Sequence, residues 1–465
     1  MGYAGVKAVT FCPEDVWNYA GWQQGSKQCH RRSVFMYNFL GPRSRPSLGL
    51  WIPLSFQHVF AMFGATILVP ILVGLDPATA LFTAGTGTLI YIIVTGAKVP
   101  AFLGSSFAFI APLIAISSAY GVPFAMGGTI AAGAFYCLIA LLIKFFGTGW
   151  LNKAMPPVVT GSVIIVIGLI LAPVAINMSM NDSYGNYSLV HLSIAAFTLT
   201  ATLVANIFLK GFFSTIPIII GLAAGYFFTL IMGVFFPAYA LINFQVVHDA
   251  AWFGLPSFQA PSFNIAVIFT FIIVSLATIC EHVGDMAVIN KVVGQNFYKN
   301  PGLHRTLTGD GLATAWAALW GGPPSTTYGE NIGVMAITRV YSVWVIGGAA
   351  FIAIFLSFFR KFGALIQTIP TPVLGGISML LFGIIASSGL RTLVESGVDY
   401  KDKRNLTISS VILVIGIGGG KLAFAITGEL EFQLTGVALA AVVGIILNLV
   451  FPLNRGGLDS VERAR

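Results

Sequence analysis

Charge is scarce in this sequence. Asp, Glu, Lys and Arg make up 9% of its 465 residues, where an ordinary soluble domain carries about 25%. Hydrophobic residues make up 57%. Such a chain cannot cover itself with a solvated surface, which excludes a string of soluble domains and leaves one polytopic integral membrane protein. Cysteine is scarce as well. Cys12, Cys29, Cys137 and Cys280 have no metal or redox spacing and read as inert thiols. No HExxH or comparable constellation occurs, which argues against a membrane enzyme and against a bound metal. The net charge of +8 sits in short loops beside apolar segments, so it indicates membrane orientation rather than nucleic-acid binding. Residues 1–48 lack an apolar core of about 7–15 residues ahead of a small-residue cleavage site, so they read as a cytoplasmic tail and not a signal peptide.

A helix needs about 20 mostly apolar residues to cross the hydrocarbon. Such segments begin near Trp51, Ala78, Pro123, Pro157, Leu189, Phe213, Ile265, Val343, Val373, Asn405 and Leu434. Shorter or broken ones occupy residues 99–118, 308–320 and 328–338. The expected fold class is an all-α membrane protein with 14 transmembrane segments. With the N-terminus placed in the cytoplasm, nearly all Lys and Arg fall on that side. Arg360, Lys361 and Lys421 are the exceptions, and the loop 177–189 has no basic residue. This asymmetry predicts an even number of spans with both termini cytoplasmic.

Three landmarks recur in the same order. Gln57-His58-Val59 matches Glu281-His282-Val283; Ser105-Ser106-Phe107 matches Thr326-Thr327-Tyr328; Pro157, Gly161 and Gly168 match Pro372, Gly376 and Gly383. Two halves of seven spans follow. An odd number per half inverts the second half across the membrane, a transporter architecture that places the site between the repeats. The breaks at residues 99–112 and 321–335 hold corresponding places in the halves. Each has Gly or Pro, then small hydroxyl residues, then an aromatic residue. Non-helical backbone persists at membrane depth only where protein covers it or it lines a polar cavity.

Of the 16 Asp and Glu, most belong to loops or tails, and Glu281, Asp285 and Glu330 are the exceptions. Glu281 and Asp285 are four apart and share a helix face. Membrane-depth carboxylates usually mark a substrate or proton path. Asp285 also admits a plainer role, near a helix end and paired with Lys291. His58 and His282 admit one as polar packing between helices. No Lys or Arg falls at the centre of a span, which disfavours an anionic substrate. Carboxylates accept from N–H donors, backbone N–H groups donate to carbonyls, and Phe107 and Tyr328 can form an aromatic wall. A small planar heterocycle with alternating N–H and C=O suits that set.

The segments TTYGENIGVMAITR (residues 326–339), QHVFAMFGATILVP (57–70), PAFLGSSFAFIAP (100–112) and EHVGDM (281–286) resemble the marks of the nucleobase–ascorbate transporter family, also termed nucleobase:cation symporter-2. The likeness covers residues 52–451 and is nearest to the bacterial uracil-transporting members. It implies a 7+7 inverted repeat with two short antiparallel strands in broken segments 3 and 10. It implies a core domain (residues 49–146, spans 1–4, and 263–360, spans 8–11) and a gate domain (147–262, spans 5–7, and 361–453, spans 12–14), with a cytoplasmic tail at 454–465. It implies proton-coupled uptake of a nucleobase by alternating access across the bacterial cytoplasmic (inner) membrane, with the proton as coupling ion and no cofactor. Lipid surrounds the chain, a homodimer is admitted, and nucleic acid is no partner.

The resemblance carries substrate binding to Glu281 and Glu330 (ring N–H groups), to the backbone at Phe107 and Gly329 (ring carbonyls), and to Tyr328, Ala65 and Ser106. Proton coupling falls to Asp285, Glu281 or both. Supporting roles fall to His58, His282, Asn331 and Thr327. Some uracil transporters have His where this chain has Asp285, and a Tyr where it has Phe382. Purine-type members have Gln where it has Glu330. Uracil is therefore favoured. A xanthine or uric acid permease is the alternative, and a sulfate-permease-like anion transporter a more distant one.

Overall fold

The computed structural model describes residues 40–236, 239–427 and 430–452. Most of the expected N-terminal tail, with Cys12 and Cys29, and all of the tail 454–465 lie outside the described residues.

The chain opens with α1 (Leu48–Val73) and α2 (Pro77–Val94), then β1 (Leu103–Ser105) and a 3-10 turn at Phe107–Phe109. There follow α3 (Ile110–Tyr120), α4 (Val122–Phe146), short α5 (Gly149–Ala154), α6 (Pro157–Leu169), α7 (Ala172–Met180), α8 (Leu189–Phe208), α9 (Pro217–Phe235) and short α10 (Gln245–Asp249). The second half begins with α11 (Ile265–Val293), α12 (Leu303–Leu319), β2 (Ser325–Thr327) and α13 (Gly329–Thr338). It continues with α14 (Val343–Ser357), α15 (Arg360–Gln367), α16 (Thr371–Glu395), α17 (Lys403–Ile417), β3 (Lys421–Thr427), β4 (Leu430–Thr435) and α18 (Gly436–Val450).

Among the described residues, 8 helical segments are long and apolar enough to cross a membrane, with α6 and α7 together forming one of them. The residues Phe107–Tyr120 (with α3), α14 and α18 are shorter apolar helices. The protein is a mostly helical integral membrane protein. The segment expected at residues 308–320 is longer than the sequence suggested, because α12 starts at Leu303. The run from Pro157 breaks between α6 and α7, where Pro173 stands in the first turn of the second piece. The segment before α18 forms a hairpin, β3 pairing antiparallel with β4, where no strand was expected.

Two groups of helices make most of the packing. In one, α1, α2 and α12 pack against the β1–β2 pair, with α4 on α12 and α14 on α1 and α2; in the other, α6 packs on α16 and α17, and α8 on α9 and α16. Helix α11 touches both groups. Each group closes on a glycine crossing. A Cβ on Gly311 would stand 2.7 Å from the Gly133 carbonyl, and one on Gly389 would stand 2.5 Å from the Gly161 carbonyl. Lipid tails are as apolar as side chains, so close backbone approach through small residues is what holds such helices together.

The broken segments have local causes. Pro323 and Pro324 offer no N–H and so cannot continue α12, and Gly321 turns the chain at φ 79°. β1 and β2 pair antiparallel, with Leu103 opposite Thr327, Gly104 opposite Thr326 and Ser105 opposite Ser325. The pair is buried on every residue.

Candidate functional site

The two strands each run straight into a helix start. β1 leads through Ser106 to Phe107 and the turn before α3, and β2 leads through Tyr328 to Gly329, the first residue of α13. First-turn N–H groups of a helix have no intrahelical partner, and the helix dipole makes such an end attractive to electron-rich groups. Neither Ser106 nor Tyr328 caps its helix with a side chain. The backbone at Phe107 and at Gly329 is therefore presented at the two ends of one small sheet.

Those ends face a cavity of about 50 Å³. Its lining joins Phe107 and residues 326–330 with Glu281 and Asp285 of α11. The opposite wall is Ile164 of α6 and Ile384, Ile385 and Ser388 of α16. Among the described residues, no Lys or Arg lines it.

Helix α11 carries both acids. Asn264 caps it, its Oδ1 accepting from the N–H groups of Ala266 (2.9 Å) and Val267 (3.4 Å). The helix runs 29 residues, about 43 Å at 1.5 Å per residue, so it overruns a hydrocarbon core of about 30 Å. Glu281 stands past its middle, 9% exposed, and its Oε2 makes no hydrogen bond within the protein. Asp285, one turn on, is 8% exposed and accepts from the Thr327 hydroxyl at 2.6 Å. Lys291, which a helix-end role for Asp285 would have used, pairs instead with Glu395 at 3.1 Å. Glu330 lies in the first turn of α13 and is half-buried. The Thr326 hydroxyl, also buried in the lining, lies beside the Glu281 carboxylate.

Tyr328 lies back across β1. Its hydroxyl donates to the Ser105 carbonyl (3.2 Å) and accepts from the Thr66 hydroxyl (3.3 Å). A Cβ on Gly104 would come within 2.4 Å of the Tyr328 ring, so only glycine fits beneath it. Phe107 meets Phe382 of α16 edge to face, with ring centroids 5.8 Å apart.

The remaining candidates sit behind this surface. Ala65 is fully buried in α1, and Ser106 is fully buried with an unpartnered hydroxyl; neither lines the cavity. Asn331 Nδ2 donates to His58 Nδ1 (3.0 Å) and to the His58 carbonyl (3.1 Å), which ties α13 to α1. His282 lies between α11 and α12, its Nε2 3.1 Å from the Thr306 hydroxyl. Its Nδ1 is 3.0 Å from Asp310 Oδ2. Asp310 is a third buried carboxylate, beside Glu281 and Asp285, that the sequence reading passed over. The signal was present, an acid inside a segment already counted as a span.

The Permease family model (Xan_ur_permease) matches residues 49–423. The chain is 53% identical over 423 residues to a Uracil permease of Bacillus subtilis (strain 168), covering 89% of this chain and 95% of that one. It is 44% identical over 418 residues to a Uracil permease of Escherichia coli (strain K12), covering 89% and 94%. Among solved structures it is similar to the transmembrane domain of a cyanobacterium bicarbonate transporter, BicA, with a TM-score of 0.59 at 15% identity over 89% of this chain and 100% of that one. It is also similar to SLC26A9, with a TM-score of 0.61 at 12% identity over 86% and 64%. Likeness at such identities speaks for a shared fold alone.

Proposed function

This chain belongs to the Permease family, and on that premise we propose that it is a proton-coupled symporter that imports uracil by alternating access. It is a transporter and not an enzyme. The observation that carries the reading is the pairing of two acids with two helix starts around one cavity. Glu281, with a free carboxylate oxygen, and Glu330 accept from the ring N–H groups. The backbone N–H groups at Phe107 and Gly329 donate to the ring carbonyls. Phe107 and Tyr328 bound the ring's faces. Asp285, held by Thr327, is the group placed to take the coupling proton. The names and identities of the relatives from Bacillus subtilis and Escherichia coli support uracil as the substrate.

The cavity of about 50 Å³ is small beside the roughly 300–1,000 Å³ of ordinary ligand pockets. Alternating access answers this. The α6–α16 wall withdraws from the β1–β2 pair to admit the base and returns to enclose it. Helices α1–α4 and α11–α14 then form the core domain, and α6–α9 and α16–α18 the gate domain. Counting α12, α13 and α17 with the other apolar helices gives 14 spans in a 7+7 inverted repeat. The chain sits in the bacterial cytoplasmic membrane with both termini inside.

A xanthine or uric acid permease is the second reading. A bicyclic base needs more room, and Glu330 offers it an acceptor alone. An anion transporter would share the fold of BicA and SLC26A9, but a site with three acids and, among the described residues, no cation repels anions. The test is uptake of labelled uracil and xanthine by reconstituted vesicles with and without an inward proton gradient. Gradient-dependent uracil uptake is expected. Uptake of xanthine but not uracil would sink the specificity, and indifference to the gradient would sink the coupling.

A further inference from the structure

Three-residue strands lack independent stability, so something outside must hold β1 and β2. The register relates them by a two-fold axis between Gly104 and Thr326, so Leu103 and Ser325 correspond as the first residues of the two strands. In an antiparallel pair, alternate residues turn N–H and C=O away from the partner. The outer rungs run from Tyr328 N–H to the Phe102 carbonyl (3.0 Å) and from Ser106 N–H to the Pro324 carbonyl (2.8 Å). Leu103 and Ser325 therefore face outward.

Leu103 and Ser325 are each met by one threonine hydroxyl. Thr88 of α2 accepts from Leu103 N–H at 2.9 Å and donates to the Leu103 carbonyl at 3.2 Å. Thr314 of α12 accepts from Ser325 N–H at 3.2 Å and donates to the Ser325 carbonyl at 3.1 Å. Both threonines are fully buried. Thr88 precedes its strand residue by 15 positions and Thr314 by 11. Other threonines of α2 behave differently. Thr83 and Thr86 donate to carbonyls of their own helix four residues back.

We infer that Thr88 and Thr314 are a matched pair of positioning residues for substrate recognition, one in each half of the chain. Each hydroxyl locks a strand to the helix before it. The strand in turn aims the backbone at Phe107 or Gly329 into the cavity. This rests on the reading of those backbone groups as the donors to the uracil carbonyls.

Valine has threonine's shape without the hydroxyl, so Thr88→Val and Thr314→Val leave a buried N–H and C=O unpaired. The test is equilibrium binding of labelled uracil to the purified full chain, with melting temperature and transport recorded in parallel. Each Val variant is expected to bind about tenfold more weakly, with transport at saturating uracil much less affected. Thr88→Ser and Thr314→Ser, which keep the hydroxyl, are expected to bind like the parent. The Val penalty should shrink for 2-thiouracil or 4-thiouracil, whichever weakens the carbonyl facing that strand. Wild-type affinity in both Val variants overturns the inference, and so do Ser variants as weak as Val. If a Val variant does not fold, Thr→Cys takes its place; an affinity between Ser and Val is expected, and wild-type binding overturns. A parent that binds xanthine and not uracil sinks the uracil reading instead, and the same variants measured with xanthine still decide the positioning role.

Discussion

The Thr327 hydroxyl donates to Asp285 Oδ2 at 2.6 Å, so a residue of one broken segment holds a carboxylate of a neighbouring helix. The bond joins the strand that leads to the proposed backbone donor at Gly329 with the acid proposed to take the proton. Asp285→Asn keeps the shape and removes the proton site. Uracil binding is expected to survive within about tenfold, while accumulation driven by a proton gradient is lost. Vesicle uptake with and without the gradient reads this directly. Gradient-driven accumulation at the parent level would remove Asp285 from coupling.

Glu281 and Glu330 each offer a carboxylate to the cavity. A hydrogen bond to a charged group contributes about 1.5–3 kcal/mol, so Glu281→Gln and Glu330→Gln are each expected to weaken uracil binding about 10- to 150-fold. Isothermal calorimetry on the purified variants measures the change. A variant with unchanged affinity takes its residue out of the site.

Gly104 lies beneath the Tyr328 ring, where an added Cβ would meet ring carbon at 2.4 Å. Gly104→Ala is expected to destabilise the protein by about 1–3 kcal/mol, because overpacking a filled interior forces backbone or ring to shift. Thermal unfolding in detergent reports it. Adding Tyr328→Leu should restore part of the melting temperature without restoring binding, since the clash is relieved but the aromatic wall is gone.

Asp310 and His282 face one another in full burial. Asp310→Ala leaves the imidazole without its partner and is expected to cost about 1–3 kcal/mol of stability. Combining it with His282→Leu should cost less than the sum of the two single changes, because the second substitution removes the group the first stranded. A strictly additive double variant would show that the two side chains do not interact.

The start of nearly every apolar segment was legible in the sequence, because long uncharged runs have few other uses. The two breaks were legible too, since Gly and Pro punctuate them. Asp310 was missed for a positional reason. The expected segment began at Thr308, which put the acid at its edge; α12 begins at Leu303, which puts it two turns inside. The β3–β4 hairpin did carry a signal, the alternation Leu430-Glu431-Phe432-Gln433-Leu434-Thr435, but it is short beside the apolar runs that dominate the chain. The cavity wall of Ile164, Ile384, Ile385 and Ser388 had no local signal. Isoleucine in a membrane helix reads alike whether it faces lipid, a neighbour or a ligand, and only the tertiary packing of α6 and α16 tells these apart.

The sheet offers the cavity main-chain groups, and these have a consequence for how the protein can vary. A point substitution can change any side chain, but every residue brings the same N–H except proline. The backbone contacts proposed at Phe107 and Gly329 are thus nearly deaf to mutation as long as the strands hold their place. Variation in what the site accepts has to run through the other residues around it: Glu281 and Glu330, and the wall formed by Ile164, Ile384, Ile385 and Ser388. A selection for growth on altered bases should return changes there and spare the strands.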